Sequence, residues 1–317
     1  MIVFRDPQEV PEDFGPSVVA IGKFDGVHAG HRAVIRRLKQ VAEESGLRTV
    51  AVTFDRNPLA VLRPDRCPEN VVTVERKLEL LSELELDATL LLTFDAEFAA
   101  RSAEEFVTSI LVGALDVSTV LVGEDFRFGR GGAGTPALLR ELGPKHGFTV
   151  EVVDDVFLDG SDRRVSSTWI RELLMDGDVT TAARVLDRHV DVRGEVVHGL
   201  KRGRELGFPT ANLSASVDSF VPGDGVYAGW LVDHDTGIRH RAAISVGTNP
   251  TFDDVLERQV EAHVLGETDL DLYGHDVTVE FVERLRGMVA FEGIEKLKAQ
   301  MAADVTDAER VLAAPRS

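Results

Sequence analysis

From Val18 to Val122 short apolar, β-branched runs take turns with stretches of helical periodicity, and this alternation restricts the possible folds more than any other feature of the chain. Val18–Ile21 reads as a buried strand. Arg32–Glu44 carries Val34, Ile35, Leu38 and Val41 on one helical face, and Gly46 closes it. Arg48–Phe54 (RTVAVTF) reads as a second strand and Glu75–Leu84 as a second helix. Leu90–Leu92 and Val120–Val122 are further strands, with a helix around Ala103–Leu111 between them. Strands separated by helices pair in parallel, because the helical crossover returns the chain to the same end of the sheet and covers its faces. The expected first half is an α/β layer built on a parallel sheet.

After about Leu186 the texture changes. DVRGEVVHG, GVYAGWLVDH, RHRAAISVG, VEAHVLG and DVTVEFVERL are strand-like and are separated by Gly, Asn, Asp and Pro, the pattern of an antiparallel sheet or barrel. A last amphipathic helix, roughly Ile294 to Ala314 by its Leu297, Met301, Val305 and Val311, would cover it, and Thr168–Leu186 reads as a helical join. A chain of 317 residues has room for two cores, and the change of texture divides it into 1–185 and 186–317. Its formal charge of −19 disfavours nucleic acid and anionic membranes as partners, so any bound phosphate must be met locally by backbone N–H groups and a few placed cations. The single cysteine, Cys67, excludes an internal disulfide and a thiolate metal cluster. It also fits a reducing compartment, so the expected location is the cytoplasm; the N-terminus lacks a signal peptide's basic start and apolar stretch, no apolar run nears the ~20 residues that span a bilayer, and a weak homo-oligomer is an expected form of self-association.

Two segments carry chemistry. GKFDGVHAGH, residues 22–31, lies between the first strand and the first helix, where ligands of α/β sheets bind. Gly22, Gly26 and Gly30 permit tight turns and close approach of backbone, the helix start offers free N–H groups, and His28 and His31 can add hydrogen bonds to a phosphoryl group. Two histidines at this spacing can also ligate a metal or merely cap the helix. It is neither a Walker loop nor a dinucleotide fingerprint. In HGLKRGRELGFPTANL, residues 198–213, Gly199 and Gly203 alternate with Lys201, Arg202 and Arg204, a locally cationic loop in an acidic protein. Thr210 and Asn212 follow, and in extended backbone they face the same way, as neutral oxygen ligands suited to Mg²⁺ beside phosphates. Without other information this segment is equally a turn with a basic hairpin.

GKFDGVHAGH resembles the HxGH element of nucleotidylyltransferases, and its longer form is similar to the N-terminal module of the prokaryotic bifunctional riboflavin kinase/FAD synthetase family. The resemblance implies a Rossmann-like nucleotidylyltransferase domain followed by a six-stranded antiparallel riboflavin kinase barrel with a terminal helix. It gives His28 and His31 contacts with ATP phosphates and with the charge shed onto pyrophosphate, in a nucleotide-binding turn that includes Gly22, Phe24, Asp25, Gly26 and Gly30. SSTWIRELLMDGDV, from Ser166 to Val179, resembles the family's SSTxIR element and implies phosphate contacts from Ser167, Thr168 and Arg171; without the family it is a capped helix. VGEDFRFGRGGAGT resembles the flavin-facing segment, which assigns Asp125, Phe126 and Phe128 to the flavin. In the second module Gly199, Lys201, Gly203 and Arg204 would hold phosphates, Thr210 and Asn212 the Mg²⁺, and Glu261, in RQVEAHVL, would be the base.

The implied activity is ATP-dependent phosphorylation of riboflavin to FMN, then adenylylation of FMN to FAD with release of pyrophosphate. Two departures stand out: Asn57, in TFDRNPLAVLRP, occupies a position where many members have histidine, and Asp125 one where some have asparagine. A neutral Asn57 cannot supply positive charge, which leaves open a riboflavin kinase with a weakened adenylyltransferase module. A flavin or nucleotide sensor without turnover is the alternative of another class; the presence of both histidines, the Thr210/Asn212 pair and Glu261 speaks against it.

Overall fold

A computed structural model of the chain describes residues 1–199, 206–214, 219–250, 256–267 and 270–313. Its internal packing forms two units, Met1–Ser166 and Ser167–Ser317. The first contains strands β1 (Ile2–Phe4), β2 (Ser17–Ile21), β3 (Arg48–Phe54), β4 (Ala88–Leu92), β5 (Val117–Gly123) and β6 (Thr149–Val153). Its helices are α1 (Ala29–Ser45), α2 (Leu59–Leu62), α3 (Val74–Ser82), α4 (Ala96–Ala100), α5 (Ala103–Phe106) and α6 (Pro136–His146). All sheet pairings are parallel, in the order β1-β4-β3-β2-β5-β6. Every residue of β2 and β4 is buried, so both faces of the sheet centre are covered, and this is why those strands read as unbroken apolar runs. Alternate residues Val19, Ile21, Val50, Val52, Leu90, Val120 and Val122 share one core with Phe106, Ile110 and Leu111.

The sheet order places the chemistry. Strand β3 lies on one side of β2 and β5 on the other, so the direction of winding reverses beside β2 and opens a crevice at the carboxyl ends of β2 and β5. The GKFDGVHAGH turn leaves β2 at this point, and Asp125 and Phe126 follow β5.

Ser167–Asp176 (α7) and Val179–Leu186 (α8) open the second unit. The helical join expected over Thr168–Leu186 is broken at Gly177, whose φ of 75° leaves the helical region, and Asp178 caps α8 through the Thr181 N–H. Strands β7 (Val190–Val197), β8 (Ala211–Leu213), β9 (Gly225–Asp233), β10 (Arg239–Pro250), β11 (Leu256–Val264) and β12 (Asp276–Arg286) follow. They close an antiparallel barrel in the order β10-β11-β8-β7-β12-β9. Tyr227, Leu231, Ile244, Val246, Ala262, Val277, Val279 and Phe281 fill it. The buried Tyr227 hydroxyl donates to the Gly223 carbonyl.

Helix α9 (Ile294–Ala313) covers the barrel with Ala308, Val311 and Leu312 against Ala228, Ala243 and Leu285. A bidentate pair anchors it: Arg286 donates from Nε to Asp304 Oδ1 at 2.8 Å and from Nη2 to Oδ2 at 2.7 Å, and Gln300 donates to Asp304 at 3.0 Å. Asp304 is only 6% exposed. Replacing it with alanine strips a half-buried guanidinium of its partner and is expected to cost about 2–3 kcal/mol. Urea unfolding of Asp304→Ala measures this, with Asp304→Asn intermediate.

Candidate active sites

The first site is built on a turn whose backbone is held in unusual conformations. Phe24 (φ 49°), Gly26 (φ 81°) and Val27 (φ 42°) all lie in the left-handed region, which is open to glycine and unfavourable to the other two. Phe24 and Val27 are buried at 1% and 0% exposure, so packing enforces the geometry. The Phe24 ring backs that of His31, with centroids 5.2 Å apart. His28 is the N-cap of α1; its Nδ1 accepts from the His31 N–H at 3.4 Å, which leaves the proton of a neutral ring on Nε2. The two imidazoles stack at 3.7 Å and 18°. Gly30 makes room for this, since a Cβ there would sit 3.2 Å from the His28 ring.

His31 is half-buried and its Nδ1 is shut off from solvent without a hydrogen-bond partner among the described residues. Burial, helped by positive charge at His28, Lys23 and Lys77, holds its pKa well below the usual histidine value. At neutral pH it is an uncharged hydrogen-bonding ring. In long-range ¹H–¹⁵N NMR of the unliganded protein His31 should still show one protonated and one bare nitrogen at pH 6, where an exposed histidine is mostly cationic. By linkage, this group's contribution to stability is complete above about pH 6.5 and is lost as the pH falls below it, because only the unfolded chain takes up the proton there.

A recess beside the turn is lined by Lys23, Asp25, Arg56, Asn57, Asn70 and Lys77. Asp25 Oδ1 accepts from the Val71 N–H at 2.8 Å. Asn57 is 9% exposed, and its Oδ1 accepts from the Leu59 N–H at 3.1 Å, closing a short turn just before α2. Asp55 pairs with Arg56 and accepts from the Phe94 N–H; burial pushes its pKa up, but these hydrogen bonds bring it below the usual carboxylate value. Past β5, Asp125 is exposed and receives Arg164 Nη2 at 3.0 Å, while Arg164 also pairs with Asp155. Phe126 and Phe128 are parallel, 5.5 Å apart; Phe128 is 8% exposed and belongs to the core, and Phe126 packs partly against it. Ser167, Thr168 and Arg171 lie in the first turns of α7, Thr168 exposed and the other two half-buried.

In the second unit strand register does the positioning. Glu261 on β11 pairs with Asn212 on β8, and their neighbours Ala262, Ala211 and Leu213 are buried, so Asn212, Thr210 and Glu261 all face outward. Thr210 Oγ1 donates to Glu261 Oε2 at 3.2 Å, and Asn212 Nδ2 donates to Thr210 Oγ1 at 3.3 Å. His263 holds the lead-in to β8 through a 2.7 Å hydrogen bond between Nδ1 and the Pro209 carbonyl. The adjoining pocket is lined by Gly199, Pro209, Leu270, Leu272 and Tyr273 beside Thr210 and Asn212. Lys201, Gly203 and Arg204 lie outside the described residues. Gly199 is required by contact: a Cβ there would lie 2.5 Å from the Asn212 side chain. Gly199→Ala should therefore displace Asn212 and lower turnover at this site on the order of 10–100-fold in a steady-state assay, with the fold retained by circular dichroism.

Sequence reasoning missed Lys77. Its signal was present: Lys77, Leu80 and Leu81 recur at helical spacing on the buried face of α3, an odd place for an ammonium group.

A parallel sheet with a glycine-rich, histidine-bearing turn at its switch point, and a barrel with a carboxylate hydrogen-bonded to a hydroxyl beside an amide, give each unit a candidate active site of the kind found in two-unit enzymes. A family model described as FAD synthetase matches residues 10–169, and one described as riboflavin kinase matches residues 186–312. The bifunctional riboflavin kinase/FMN adenylyltransferase of Escherichia coli (strain K12) is 35% identical over 290 residues, 90% of each chain. That of Bacillus subtilis (strain 168) is 34% identical over 305 residues, 95% of this chain and 94% of the other. The Pseudomonas fluorescens protein of the same name is 38% identical over 306 residues, 96% of this chain and 95% of the other. A crystal structure named as a macrolide-efflux protein from Streptococcus pneumoniae superposes with a TM-score of 0.86 at 30% identity, covering 97% of this chain and 98% of that one. No helix among the described residues here is long and apolar enough to cross a membrane. The chain belongs to the bifunctional riboflavin kinase/FMN adenylyltransferase family, and its two matched segments carry the riboflavin kinase and FAD synthetase activities.

Proposed function

We propose that the barrel phosphorylates the 5′-hydroxyl of riboflavin and that the switch-point turn adenylylates the resulting FMN, with the following division of labour. The observation that carries the kinase reading is the outward trio Thr210, Asn212 and Glu261, joined by hydrogen bonds within one register. Glu261 accepts the hydroxyl proton as the oxygen attacks the γ-phosphorus of ATP, and ADP leaves. Two neutral oxygen donors, Thr210 and Asn212, would hold Mg²⁺, which when bound would neutralise charge on the transferring phosphates. Gly199, Lys201, Gly203 and Arg204 form the phosphate loop.

At the other site a phosphate oxygen of FMN attacks the α-phosphorus of ATP, and the bond to the pyrophosphate oxygen breaks. FMN already carries the nucleophile, so no covalent enzyme intermediate is needed. His28 offers Nε2–H, and the start of α1 adds its N–H groups to the departing charge. The neutrality of His31 supports a hydrogen-bonding role in the free enzyme, with a proton gained when the polyphosphate binds beside it. Gly22, Asp25, Gly26 and Gly30 shape the nucleotide turn, which Phe24 supports from behind. Asp125 and Phe126 face the flavin, and Phe128, assigned to the same segment, backs Phe126 from the core. Ser167, Thr168 and Arg171 contribute phosphate contacts, an assignment that rests on the SSTWIR motif. The functional boundary is placed at 185/186, a reading supported by the start of the riboflavin kinase match at residue 186. The charge of −19 speaks against nucleic acid and anionic membranes as partners, the single cysteine fits a reducing, cytoplasmic compartment, and self-association is at most weak.

Chromatography of flavins formed from riboflavin, ATP and Mg²⁺ tests both halves: FMN should rise first and FAD follow. Glu261→Gln should lower FMN formation by roughly 10²–10⁴-fold while FAD synthesis from supplied FMN persists, and His28→Ala should do the reverse. Neither product from the wild-type chain would overturn the assignment. FMN without FAD would favour the kinase-only reading, whose motive is the buried, neutral Asn57, and Asn57→His should then restore FAD.

A further inference from the structure

The first unit contains a buried cation that the steps above leave unused. Lys77 lies on the inner face of α3, 7% exposed, with its Nζ 2.7 Å from the Phe54 carbonyl and 3.4 Å from the Lys23 carbonyl. Phe54 ends β3, and Lys23 is the second residue after β2. The same Lys23 carbonyl accepts from the buried Thr53 hydroxyl at 3.1 Å. One ammonium thus spans the two loops that leave the switch point, the turn that carries His28 and His31 and the segment that carries Asn57.

We propose that Lys77 is a positioning residue for adenylyl transfer, clamping the backbone of the two loops so that the His28/His31 turn meets the polyphosphate in register. Fold stability does not account for it, since burying an ammonium opposes folding. Burial lowers its pKa from 10.5 to about 8 against the opposing pull of Asp25, Asp55 and Glu75. Lys23 and Arg56 line the same recess, and the positive charge of Lys77 helps to keep His31 neutral. With a lowered folded pKa, the clamp is charged below about pH 8 and loses its charge as the pH rises through that value. Its hydrogen bonds to carbonyls weaken with the charge.

The inference rests on assigning FAD synthesis to this turn, and the full chain supplies its own control because the second unit phosphorylates riboflavin. Lys77→Met should reduce kcat for FAD synthesis from FMN by about 30-fold or more, leaving riboflavin kinase turnover within about twofold and the thermal midpoint of the wild type or higher. Lys77→Arg should keep most FAD synthesis and move the alkaline fall in its rate from near pH 8 to beyond pH 9. A Met variant that makes FAD within about threefold of wild type overturns the proposal alone. Should Met unfold the unit, the Arg variant decides, and an alkaline limb left unmoved overturns the proposal. A wild-type chain that makes FMN and no FAD overturns the assignment of the site itself.

Discussion

Burial of Phe24 and Val27 inside a left-handed turn holds the chain in the conformation that carries it from the carboxyl end of β2 to the His28 N-cap of α1. Each non-glycine residue in that region loses on the order of 1–2 kcal/mol. Removing a Phe or Val side chain from water returns about 1.5–3 kcal/mol. Packing wins by a narrow margin, so the turn is stable only while the core beneath it is intact. The stacked imidazoles, the place kept by Gly30 and the exposed start of α1 then follow from where α1 must begin.

The barrel reaches its constellation by another constraint. Strands alternate their side chains, and the pairing of Glu261 with Asn212 puts a carboxylate, a hydroxyl and an amide on the outer face because the residues between them fill the core. A slip of one residue would bury Glu261 and expose Ala262, which the hydrophobic filling forbids. The carboxylate, hydroxyl and amide therefore owe their proximity to Val260, Ala262, Ala211 and Leu213, which fill the core.

Most of this was legible in the sequence where burial imposes a period. Arg48–Phe54 has the bounds read from its apolar run, and the last helix begins at Ile294 as its spacing predicts. That Thr210 and Asn212 share a face follows from their spacing once the segment is extended; that this face is the outer one depends on the register with β11. Elements that depend on neighbours were not legible. Strand β1 is three residues long and exists by pairing with β4. Strand β6 is only half-buried, and α6 contains Gly143 and Pro144, which read as loop punctuation. The helix expected over Ala103–Leu111 widens into a π-turn from Val107, a change of hydrogen bonding that no side-chain period signals. The motifs identified the histidines but gave no protonation state, since that depends on burial and on charges brought in by α3 and the β2 loop.

That protonation state bears on how an acidic chain can bind polyphosphate. A preformed cluster of buried cations would carry a large desolvation penalty in the empty enzyme. Here the turn keeps His31 neutral, Arg56 is paired with Asp55, and the ammonium of Lys77 is spent on backbone carbonyls facing Asp25 and Asp55. In the proposed reaction charge would appear at the histidine when the anion arrives, because the anion would stabilise the imidazolium that the empty site does not. An asparagine at position 57 fits such a site, for it closes the turn before α2 by a hydrogen bond and adds no charge that the free enzyme would have to solvate.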